Sequence, residues 1–153
     1  MSYKILISLF LISFLISCSS DDEFSEEKRE LSHAIQKWNA AQIQNYKWTE
    51  ILSCECGGPL LREIFVVNNI KESVDFDESL LFEGYTSEDV YDASKTVEEA
   101  FDFIQSLINQ NVASLVVEYD DVYGFPNIIS IDYDADFIDD EILYRYINFE
   151  IEN

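Results

Sequence analysis

Thr96-Val97-Glu98-Glu99-Ala100-Phe101-Asp102-Phe103-Ile104-Gln105-Ser106-Leu107-Ile108-Asn109 is the stretch from which the fold is read. Thr followed three residues later by Glu makes a capping box. The Thr96 hydroxyl accepts from the Glu99 amide, and the Glu99 carboxylate reaches back to the amide of Thr96. Behind it Val97, Ala100, Phe101, Ile104, Leu107 and Ile108 recur at three- and four-residue steps, the buried face of a helix ending near Asn109. The period then changes. Val112 to Tyr119, Asn127 to Tyr133 and Glu141 to Ile151 read as strands, separated by the turn Asp120 to Pro126 and by an acidic turn. In the last strand Ile142, Tyr144, Tyr146 and Asn148 alternate with Leu143, Arg145, Ile147 and Phe149, which predicts apolar contact on both faces.

Upstream the same two periods appear in the same order. From Ser25 to about Asn45, Leu31, Ala34, Ile35, Trp38 and Ala41 mark one face of an amphipathic helix, with Lys28, Arg29, Gln36, Lys37 and Gln44 on its solvent side. Tyr46, Trp48 and Glu50 then alternate with Lys47, Thr49 and Ile51 in a strand running to Cys56, which meets the turn Gly57-Gly58-Pro59. Leu60 to Val67 and Ile70 to Phe76 are two strands joined through Asn68-Asn69, a pair suited to a tight hairpin. Periodicity is lost from Asp77 to Ser94, an acidic stretch read as a long loop. The order α-β-β-β-α-β-β-β, with most strands in hairpins, predicts a two-layer α+β domain. Its sheet is mostly antiparallel, of about six strands, with two helices on one face.

The N-terminus is a targeting segment rather than part of that domain. Lys4 precedes the twelve-residue core Ile5 to Ile16, and Leu15-Ile16-Ser17-Cys18 reads as a bacterial lipobox. A bilayer-spanning helix needs roughly 20 apolar residues, so the run is too short for a membrane span. Residues 1–17 are therefore expected to be a lipoprotein signal peptide and Cys18 the lipidated residue; an ordinary secretory signal with a chance cysteine is the alternative. Residues 18–25 form an acidic tether whose Ser19-Ser20-Asp21-Asp22-Glu23-Phe24 resembles the export signal of surface lipoproteins of the Bacteroidetes. Residues 26–153 are the single domain. The expected address is the outer membrane, facing the periplasm or the cell exterior, with contact to the membrane through the lipid on Cys18.

Eight of the nine Lys and Arg and all 31 Asp and Glu follow the signal peptide, so the mature chain carries about −23. Nucleic acid and anionic lipid are excluded as direct partners, because both need clustered Lys and Arg. The chain has a single histidine, His33, set among polar neighbours on a helix and read as a solvated surface residue. No Ser-His-Asp or Cys-His constellation can be assembled from it, and the glycine patterns that bind phosphate or dinucleotides are absent.

Three patches are similar to one family: Trp38 with Tyr46 and Trp48 leading into Cys54-Glu55-Cys56; Tyr119-Asp120 with Tyr123-Gly124-Phe125-Pro126; and Ile131-Asp132 followed by Asp139-Asp140-Glu141. Together they resemble the domain-of-unknown-function 6174 family of small bacterial lipoproteins and exported proteins, over roughly Trp38 to Phe149. The resemblance implies a location and no catalytic residues.

Three constellations remain as candidate sites. Cys54 and Cys56 are the thiols left once Cys18 is lipidated, and outside the cytoplasm they are expected to pair, fixing the turn into Gly57-Gly58-Pro59; a redox pair is the alternative. Asp132, Asp134 and Asp136 place hard oxygen ligands at alternate positions, a weak calcium site, although Phe137 and Leu143 stand where a calcium loop needs Gly and Glu. A solvated acidic turn is the other reading. Tyr123 and Phe125 either cap the edge of the core or form an aromatic recognition loop. No cofactor is expected apart from that calcium. The chain is read as a non-enzymatic binding or accessory domain of the cell envelope, with an envelope protein or glycan as ligand. A calcium-binding domain and a small carboxylate-based hydrolase are the alternatives.

Overall fold

The capping box at Thr96 and Glu99 forms as the sequence predicts. In the computed structural model, which describes residues 24–54 and 61–152, both reciprocal hydrogen bonds are made and start a helix at Val97. The elements in chain order are α1 (Ser25–Ala41), β1 (Tyr46–Ser53), β2 (Leu61–Val67), β3 (Ile70–Asp75), α2 (Ser87–Ala93), α3 (Val97–Gln110), β4 (Ser114–Tyr119), β5 (Pro126–Asp132) and β6 (Ile142–Ile151). One antiparallel sheet holds all six strands in the order β3-β2-β1-β6-β5-β4. The first and last strands pair at its centre, so the sheet closes only when both ends of the domain are in place.

The helical face of the sheet carries the core. β1 turns Tyr46, Trp48, Glu50 and Leu52 toward the helices, β2 adds Ile64 and Val66, and β6 adds Tyr144 and Tyr146. From α3 come Val97, Ala100, Ile104 and Leu107, all essentially solvent-free. Burial of each such side chain stabilises the fold by about 1.5–3 kcal/mol before entropy is counted. α1 ends where Gln42 takes a left-handed conformation (φ 52°), earlier than its expected end near Asn45. Asn68 and Asn69 are both left-handed (φ 53° and 62°), as a two-residue hairpin with the right twist demands.

The stretch from Asp77 to Ser94 corrects the sequence reading. It holds a 3-10 turn (Glu78–Leu80) and the short helix α2, which gives three helices instead of two. Thr86 and Asp89 form a second capping box at the start of α2. Asp in place of Glu hid it from a search for the usual pattern, and a seven-residue helix is too short to show a period.

Candidate functional site

Among the described residues no helix covers the other face of the sheet, and two irregularities shape it. At the β1–β6 pairing the register shifts between Lys47 and Thr49, and Asn148 adopts φ 54°. This bulge places Ile147 and Asn148, neighbours in sequence, along the same groove. A second register shift separates Phe65 from Val66 where β2 pairs with β3. Both lie at one height of the sheet, since Lys47 pairs with Phe65, and bulged strands bend and twist more strongly.

Next to these bends runs a groove of about 490 Å³. Its floor is a cross-strand row, Ile147 paired with Thr49, Thr49 with Glu63, and Glu63 with Asp75. Leu61, Phe76 and Asp77 build its rim. Thr49 is buried there although it points away from the core, and the Asn148 amide donates to its hydroxyl at 3.4 Å. The carboxylates of Glu63, Asp75 and Asp77 surround the floor. The Ser79 hydroxyl and amide both donate to Asp77 (2.6 and 3.0 Å) and hold its carboxyl below the usual range, so it stays ionised. Two cations flank the groove: Arg145, two residues before Ile147 on the same face of β6, and Lys47, 3.8 Å from Glu63 and drawn more closely, at 3.3 Å, to Glu150. The hydrogen bond that Lys47 donates to Glu150, and the charge of that carboxylate, raise the Lys47 ammonium above its ordinary value. Negative charge therefore exceeds positive around the groove, whose apolar surface comes from Ile147 with Leu61 and Phe76.

The aromatic patches singled out in the sequence serve the core. Trp48 donates from its indole to the Lys95 carbonyl at 3.1 Å, and Trp38 donates to Glu98 at 2.8 Å. The Tyr46 hydroxyl accepts from the Val97 amide at 2.8 Å and lies 3.3 Å from the other Glu98 oxygen. Together they clamp the first turn of α3 onto β1 and α1. Phe125 is buried and stacks on Phe149 at 4.4 Å, and Tyr123 leans on the same ring at 6.0 Å. Of the two readings of that loop, the core edge is the one this packing fits, and Phe125 has no free face for a partner. Asp120 orders the turn by accepting from the amides of Val122 and Tyr123.

Residues 30–151 match the model of DUF6174, a family of unknown function. The chain belongs to the DUF6174 family. Neither a curated protein nor a solved structure matches it.

The acidic turn of this DUF6174 chain is built by its own carboxylates. Asp140 accepts from the Asp134 amide at 2.9 Å, and Asp134 accepts from the Asp136 amide at 3.0 Å. Among the described residues no group of three or more His, Cys, Asp or Glu side chains is arranged to hold a metal ion. The expected set Asp132, Asp134 and Asp136 therefore does not converge: Asp132 is strand-borne at the end of β5, and the Asp134 carboxylate accepts from the Asp136 amide. His33 is exposed, as read. Cys54 packs against the core at the end of β1, while Cys18 and Cys56 lie outside the described residues, as do the signal peptide and Gly57-Gly58-Pro59. Among the described residues no helix is long and apolar enough to cross a membrane.

Sequence reasoning missed one centre altogether. Glu50, with no exposed surface, pairs with the buried Arg62 at 3.0 Å. Burial pushes the Glu50 carboxyl up, against the opposing pull of Lys95 and Arg62. Lys95 donates to the Ala93 carbonyl at 2.9 Å and lies over the rings of Phe103 and Tyr144, where burial lowers its ammonium. The Tyr146 hydroxyl lies beside Glu50 without regular hydrogen-bond geometry, and its ring stacks on Trp48 at 4.1 Å. Glu50 falls on the Tyr46 and Trp48 side of the strand alternation, so its face was legible but its ion pair was not.

Burial also pushes the phenol of Tyr144 up to about 12 and those of Tyr46 and Tyr146 higher. A phenol with a raised folded-state pKa contributes stability that is complete below its unfolded value of about 10 and is lost as pH climbs through the folded value. Alkaline titration followed at 295 nm is therefore expected to include a cooperative step that coincides with loss of the far-UV circular dichroism. Smooth ionisation of every tyrosine in an intact fold would show that these phenols are not buried.

Proposed function

We propose that this DUF6174 protein is a lipid-anchored, non-enzymatic binding domain of the cell envelope whose sheet-face groove takes a cationic ligand with an apolar arm. The lipobox at Cys18 and the acidic tether behind it support the anchor and an outer-membrane, cell-surface address. The observation that carries the ligand chemistry is the groove: Glu63, Asp75 and Asp77 around a floor containing Ile147, with Leu61 and Phe76 at the rim. Its volume lies in the range of ordinary small-ligand clefts, about 300–1,000 Å³. An ammonium or guanidinium is attracted by the carboxylates, and its hydrocarbon stem finds apolar surface, as in the side chain of a lysine or arginine on a partner.

The test has two arms. In cells, an alkyne-bearing fatty acid is expected to label the native protein and not Cys18→Ser; label on the variant, or none on the native protein, overturns the anchor. With purified protein, 4-phenylbutylamine is expected to shift the amide resonances of Thr49, Glu63 and Asp75, and 4-phenylbutyrate is not. Glu63→Gln with Asp75→Asn should weaken the amine about tenfold, or ~1.4 kcal/mol, at an unchanged melting temperature. Equal response to amine and acid overturns the groove assignment.

A further inference from the structure

The two edges of the sheet are treated very differently. β3, at one end, contains Lys71 and Glu72, and its pairing with β2 is broken by a register shift. α2 leans on it: the Tyr91 hydroxyl donates to the Lys71 carbonyl, and the Lys71 ammonium donates to Ser94. Lysine, a bulge and a covering helix are the devices that stop a strand edge from recruiting another chain. β4, at the other end, carries no lysine, and its register with β5 is unbroken from Ser114 to Glu118, shifting only at Tyr119, while α1 runs beside it. Among the described residues nothing pairs with its outer edge, and Val116 is half exposed.

A channel of about 150 Å³ follows that strand. Leu115, Val116 and Val117 form one wall, and Glu26, Glu27 and Glu30 of α1 form the other. Arg29 engages Glu26 at 3.2 Å, and Glu27 and Glu30 supply the remaining negative charge. A second copy of this chain is a poor occupant, because it would bring another wall of glutamates and another −22 of net charge onto the first. An extended cationic segment meets neither obstacle. Its backbone completes the β4 ladder, and its alternate side chains reach the glutamates.

We infer that the outer edge of β4 is a strand-addition site for an extended, lysine- or arginine-bearing segment of a partner polypeptide. It is distinct from the groove on β1, β2, β3 and β6, from which β5 separates it.

The probe is a capped octapeptide alternating Val and Lys, with the Val–Glu octapeptide as control. Amide hydrogen exchange of the protein at saturating Val–Lys peptide is expected to slow across residues 114–118, and the control is expected to have no effect. Glu27→Lys with Glu30→Lys, both in the channel wall, should weaken the Val–Lys peptide at least tenfold and admit the Val–Glu one. Protection confined to Thr49, Glu63 and Asp75 would assign the peptide to the groove and overturn the edge site. Equal affinity for both peptides, or no protection anywhere, also overturns it. So does a dimer in sedimentation whose β4 amides are already protected without peptide, since the occupant is then a second copy.

Discussion

Glu50→Ala is expected to lower the unfolding free energy by about 3–5 kcal/mol, because it removes the buried carboxylate that pairs with the Arg62 guanidinium. Glu50 and Arg62 face each other across β1 and β2 and are both buried, so water cannot take the place of the lost carboxylate. Replacing both, Glu50→Leu with Arg62→Met, is expected to recover most of the loss. An apolar pair of similar volume avoids the desolvation that the ions suffer. Urea unfolding of the two single variants and the double variant measures the coupling directly. A loss below about 1 kcal/mol for the single variant would mean that solvent reaches the pair. The same pair sets a pH signature. Burial raises the Glu50 carboxyl, so its contribution to stability is complete below the ordinary carboxylate range and is lost as pH rises through the folded value. Glu50→Gln is expected to remove that downward slope above the ordinary carboxylate range; an unchanged slope would assign it to other groups.

Gly124→Ala is the second large effect, expected to cost about 2–5 kcal/mol through backbone strain and overpacking together. Gly124 holds φ +84° in the turn between β4 and β5, and a Cβ there would lie 2.5 Å from the Ala34 carbonyl oxygen and 2.9 Å from the Lys37 Cβ. The turn is pinned against α1 at this point, where the Lys37 ammonium also donates to the Asp121 carbonyl at 2.9 Å. Neither α1 nor the turn can yield without disturbing Phe125 and its stack on Phe149. Gly84→Ala is the control, because Gly84 has φ +94° but no atom within 4 Å of the added methyl. It is expected to cost only the backbone term, about 1–2 kcal/mol. Comparable melting temperatures for the two variants would show that the contact with α1 is slack.

Gly124 also shows what a motif says when read alone. Tyr123-Gly124-Phe125-Pro126 was legible as a turn needing positive φ and an extended residue before proline, but the choice between core edge and recognition loop lay in its contacts. Those come from α1 and β6, about 90 residues upstream and 25 downstream. The acidic turn is similar: alternate aspartates suggested a cation, and in the fold Asp134 and Asp140 cap amides of the turn itself. The groove left no mark in the sequence, because Thr49, Glu63 and Asp75 are ordinary solvent-side residues of three strands. They become a row only through register and two bulges.

By itself the sequence determined the local elements and their inward faces: the capped helix of Thr96 to Gln110, the amphipathic α1, the Asn68-Asn69 hairpin and the α+β class. Those features are set by periods of 3.6 and 2 and by residues tied to one backbone conformation, which act over a few positions. Only the tertiary structure decided that β1 and β6 lie side by side, that Glu50 meets Arg62, and that β4 is the last described strand of the sheet. Pairing between distant strands is chosen by the packing of the whole core, and no local pattern encodes a partner roughly a hundred residues away.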